Sequence, residues 1–99
     1  MRRTDAVRAL RKRMPALRQN FGVQEIAVFG STARNEASDR SDVDILVTFQ
    51  AKAPVGFFKL AELQEYLERA PGRPVDLLTP GSLDPRIRER VVKEAVRAG

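Results

Sequence analysis

Three groups of residues in this 99-residue chain have the types and spacing to do chemistry. The first is Gly30-Ser31. A glycine directly after an apolar run lets the backbone approach a ligand closely. The amides that follow can point at phosphate oxygens, and the Ser31 hydroxyl adds a further hydrogen bond. On its own such a dipeptide is an ordinary turn. The second is Asp42-Val43-Asp44. Side chains alternate along a strand, so two carboxylates two residues apart share a face while Val43 points to the core. Like charges so close raise each other's pKa unless a cation lies between them. A lone Asp-x-Asp is commonly a pair of solvated acids, but here Ile45-Leu46-Val47 follows at once and puts the pair on the rim of the core. The third is Asp76, held between Val75 and Leu77-Leu78. An acid inside an apolar strand is costly unless paired or metal-bound. If its strand neighbours that of Asp44, three carboxylates converge. Such a cluster makes a two-metal site of the kind used for in-line phosphoryl displacement.

These residues need elements to position them. Val7, Leu10, Met14 and Leu17 recur at three- and four-residue spacing and predict a helix from about Thr4 to Asn20, with Thr4 as N-cap. Pro15 should kink that helix or end it early, and Gly22 closes the segment. Glu25 to Phe29 reads as a short strand broken by Gly30-Ser31, and Thr32 to Arg40 as one helical turn and a loop. Val43 to Phe49 is a second strand, apolar enough to be buried on both faces. Pro54 and Gly56 punctuate the next loop. Phe57, Leu60, Leu63 and Leu67 then share a helical face, ended by Pro71-Gly72. Val75 to Leu78 is a third strand. Asp84-Pro85 opens a last helix with Ile87, Val91 and Ala95 on one face, for which core packing is the expected use. The expected class is α/β (α+β): one domain over residues 1–99, with a small mixed sheet of three to four strands flanked by helices.

Composition narrows the chemistry. There is no cysteine and no histidine, which removes disulfides, thiol catalysis, His–Asp relays and zinc sites built from either residue. Carboxylates, hydroxyls, Lys and Arg remain, and oxygen ligands suit hard cations such as Mg²⁺. No apolar stretch reaches the length of a membrane span, and the charged start is no signal core, so a cytoplasmic protein is expected. The net charge of +5 favours anionic partners. Its basic residues crowd the two ends of the chain, where solvation of helix faces accounts for most of them, so nucleic acid is not the favoured partner.

Taken together, the motifs say more than each alone. Gly-Ser, ten residues, then Asp-Val-Asp and an apolar strand resembles the signature of the DNA polymerase beta-like nucleotidyltransferase superfamily. Phe29-Gly30-Ser31-Thr32-Ala33-Arg34, Ser41-Asp42-Val43-Asp44-Ile45-Leu46-Val47, Val75-Asp76-Leu77-Leu78-Thr79-Pro80 and the closing Ile87-Arg88 to Glu94-Ala95-Val96 look like its minimal (MNT) branch. The resemblance implies a nucleotidyltransferase fold in which Asp42, Asp44 and Asp76 are catalytic and hold Mg²⁺. It also implies that Gly30 and Ser31 cradle the phosphates of ATP, with Arg34 as a candidate phosphate contact. It further implies an antitoxin that moves AMP from ATP onto a tyrosine of a helical HEPN ribonuclease toxin. Transfer to a small molecule or an RNA end, and a catalytically inactive toxin-binding module, are the alternatives. One departure from the branch is Asn35, where glycine is usual. Asn is the next best residue for a left-handed conformation, so the turn should survive.

Overall fold

A computed structural model describes residues 2–38, 41–51, 56–70 and 72–99, the side chain of Phe57 excepted. Arg40, Pro54 and Pro71, which mark loop and helix boundaries in the sequence, lie outside the described residues, as does the Phe57 side chain.

Helix α1 spans Arg3–Phe21 and buries Ala6, Leu10, Met14 and Leu17. Its N-cap position is Arg2 rather than Thr4, with no side-chain cap hydrogen bond. Pro15 does not end it. The proline is on the solvent side, where water can take up the carbonyl whose helical partner is lost, while buried Met14 and Leu17 hold the helix on either side. Gly22, at φ 66°, terminates it and donates its N–H to the Leu17 carbonyl.

Strand β1 (Val23–Phe29) begins two residues before Glu25, helix α2 is the short Gly30–Ala33, and strand β2 is Val43–Phe49. Helix α3 (Phe57–Arg69) leads to strand β3 (Val75–Leu78), and a 3₁₀ turn at Pro80–Ser82 precedes helix α4 (Pro85–Glu94). The Asp84 side chain caps α4 by accepting the Arg86 amide. A fourth strand, β4 (Val96–Arg97), closes the chain. Two residues show no alternation, so this strand carries no signal of its own.

The four strands lie in the order β3-β2-β1-β4. β1 is antiparallel to both neighbours, and β3 runs parallel to β2 through the α3 crossover. Helices flank a mixed sheet, as expected. Alternation sorts each strand onto two faces. Ile26, Val28, Val43, Ile45, Val47 and Val75 pack against α1 and α3. Ala27, Phe29 and Leu46 form a smaller cluster with Leu83, closed by Leu78, Val91 and Ala95. Leu17 is fully buried in the larger cluster. Leu17→Ala is expected to cost about 2–5 kcal/mol, read as a lower denaturation midpoint with an unchanged slope.

The last helix corrects one expectation. Val91 and Ala95 pack on the smaller cluster, but Ile87 stays 47% exposed and no residue of α4 is fully buried. Its cover of the smaller cluster comes from Val91 and Ala95 at its C-terminal end, so the spacing marked an apolar stripe longer than the part that is covered.

Candidate active site

The parallel pairing of β2 and β3 sets Asp44 opposite Asp76, and the antiparallel pairing of β1 and β2 sets Phe29 opposite Asp44. Phe29, Asp44 and Asp76 therefore form a row across three strands on the face of the smaller cluster. Asp42 precedes β2 by one residue, exposed, two positions before Asp44. Gly30 follows Phe29 directly and adopts φ 66°. A Cβ there would lie 2.1 Å from Asp44 Oδ2, so only glycine lets the chain turn beneath that carboxylate.

Two adjoining strands thus bring the three acids to one end of the sheet. The side chains are not gathered into a closed ligand set: among the described residues, no three acids stand close enough to hold a cation as they are placed. Their charges nevertheless meet at Asp44. Partial burial raises its pKa most, the charges of Asp76 and then Asp42 raise it further, Arg34 opposes them, and Glu94 adds to the rise. A half-buried carboxylate crowded by other carboxylates, all oxygen donors beside a glycine cradle, suits a hard divalent cation.

A pH dependence follows. Asp44 titrates higher in the folded than in the unfolded chain. Its contribution to stability is complete below the unfolded pKa and is lost as pH rises through the folded one. The metal-free protein should therefore melt progressively below Asp44→Asn as pH is raised through that range, with the gap between them constant at lower pH. Parallel melting curves at every pH would exclude the charge crowding.

The loop after Gly30 is tightly held. Asn35 takes φ 59°, the left-handed conformation expected of it, and its Oδ1 accepts the Arg3 amide at 2.8 Å. The Ser31 carbonyl accepts the Glu36 amide at 2.8 Å. Arg34 donates from Nε to Glu36 at 3.0 Å and pairs through Nη1 with Glu94. Sequence reasoning gave Glu94 no role. A salt bridge across 60 residues has no sequence signature, and only the docking of α4 creates it.

The family model described as "Nucleotidyltransferase domain" matches residues 9–98. The chain belongs to the nucleotidyltransferase domain family. "Protein adenylyltransferase MntA" of Thermococcus cleftensis is 50% identical over 80 residues, covering 81% of this nucleotidyltransferase and 79% of the relative. A solved structure provisionally described as a minimal nucleotidyltransferase superposes with TM-score 0.77 at 36% identity, covering 97% of this chain and 95% of the other. The MntA–HepT toxin–antitoxin structure contains a chain that superposes with TM-score 0.63 at 25% identity, over 92% of this nucleotidyltransferase and 69% of that chain. Among the described residues, no helix is long and apolar enough to cross a membrane.

Proposed function

We propose that this nucleotidyltransferase acts as one cytoplasmic domain that transfers AMP from ATP to a hydroxyl of a partner protein. In this reading the acceptor is a tyrosine of a HEPN-type toxin, and the modification silences it. The observation that carries the reading is Asp76 set opposite Asp44, whose carboxylate lies against Gly30, an acidic focus beside a glycine-opened turn. Protein as acceptor is supported by the adenylyltransferase relative at 50% identity, and a toxin as that protein by the MntA–HepT likeness.

The chain's residues divide the work as follows. The amides after Gly30 and the Ser31 hydroxyl receive phosphate oxygens, and the Arg34 guanidinium takes another phosphate oxygen. Asp42, Asp44 and Asp76 would hold Mg²⁺, whose charge offsets that of the triphosphate and of the transition state. The acceptor oxygen attacks the α-phosphorus, the bond from that phosphorus to the bridging oxygen breaks, and pyrophosphate leaves. In this reading Asp76, at the edge of the row, takes the hydroxyl proton. Positioning and charge neutralisation supply the rate, with no covalent intermediate on the protein.

The test is to incubate the protein with labelled ATP, Mg²⁺ and the product of the neighbouring gene. Label on that protein is expected. Label on RNA or on a small molecule would redirect the acceptor, and a tight complex without label would make the chain a binding module.

A further inference from the structure

Arg34 ends α2 and presents a planar fork of five N–H donors. Two carboxylates hold it. Glu36, two residues away on the same loop and 65% exposed, moves with the loop it would have to restrain. Glu94 is different. Its side chain is 24% exposed, and it is the last residue of α4, a helix capped by Asp84 and packed through Val91 and Ala95 on the Phe29–Leu46 cluster. β4 follows directly and is paired to β1. Glu94 therefore ties the guanidinium to the sheet that carries Asp44.

We propose that Glu94 is a positioning residue of the nucleotide site. It holds the Arg34 guanidinium ready for the phosphates of ATP; this rests on the reading of Arg34 as a phosphate contact. Glu36 and Glu94 take Nε and Nη1, and among the described residues Nη2 has no acceptor, so a phosphate oxygen can bind there without breaking the pair. A guanidinium already fixed loses little rotamer freedom when the nucleotide arrives, so the pair strengthens binding rather than competing with it.

The test is ATP affinity in the presence of Mg²⁺, measured by calorimetry on the full chain with Glu94→Ala, Glu94→Gln, Arg34→Ala and the double alanine variant. Glu94→Ala should weaken ATP binding roughly tenfold, and Arg34→Ala at least as much. The double variant should bind no worse than Arg34→Ala alone, because Glu94 acts only through the arginine. Glu94→Gln, which keeps an acceptor for Nη1, should recover part of the loss and guards against a folding defect in the alanine variant. Affinity unchanged or tighter in Glu94→Ala overturns the proposal, as does a loss that adds in full to that of Arg34→Ala. A wild-type chain that binds no ATP refutes the nucleotidyl reading and this proposal with it. Wild-type binding with an indifferent Glu94 refutes the positioning role alone.

Discussion

Asp42→Asn and Asp44→Asn should each lower AMP transfer by on the order of a thousandfold or more, while leaving the protein folded. Asn keeps the size of each side chain and removes the charge that would hold Mg²⁺ against the triphosphate. The same substitutions should erase a second signal. A cation bound only by the folded state raises its melting temperature, so Mg²⁺ with ATP should shift the wild type upward and leave both variants unmoved. Asp44→Asn should in addition melt above the wild type at neutral pH without metal, because burial and the charges of Asp76 and Asp42 disfavour the ionised carboxylate. Label transfer from ATP and thermal melting read both effects. Variants that transfer AMP at the wild-type rate would remove the basis for a metal-assisted mechanism.

Gly30→Ala should be nearly as damaging, for a different reason. The position adopts φ 66°, so a side chain costs roughly 1–2 kcal/mol in backbone strain alone. The added carbon would also stand 2.1 Å from Asp44 Oδ2, which must swing away. Displacing one reacting group by an ångström can cost about a hundredfold in rate, and a loss of at least that size is expected. Gly72 provides the control. It has φ 70°, but a Cβ added there would meet nothing within 4 Å, so alanine carries the strain without the collision. Gly72→Ala should lose a similar amount of stability and keep its transfer rate. If both variants lost activity equally, backbone strain would be the cause and the contact with Asp44 irrelevant.

Several features are legible in the residues themselves because they are local. The 3.6-residue recurrence of Leu10, Met14 and Leu17 and the apolar run Ile45-Leu46-Val47 announce a buried helix face and a buried strand through side-chain direction alone. Gly22 and Asp84 mark helix ends because a left-handed residue and a capping carboxylate act on their immediate neighbours. Asn35 belongs with them. Pro15 did not end its helix, because the effect of a proline depends on which side of the helix meets water. Thr4 does not cap it, since a possible cap is used only if the helix begins there.

Residue types, spacing and periodicity alone determined an α/β chain without thiol or imidazole chemistry, with a glycine turn and three carboxylates as its candidate reactive groups. Tertiary structure decided the rest: that β2 and β3 are parallel neighbours with Asp44 opposite Asp76, that Gly30 passes beneath Asp44, and that Glu94 reaches Arg34. The physical reason is range. Propensity and alternation act over a few residues, whereas strand register and the docking of α4 are settled by burying two apolar faces at once, a condition on the whole chain.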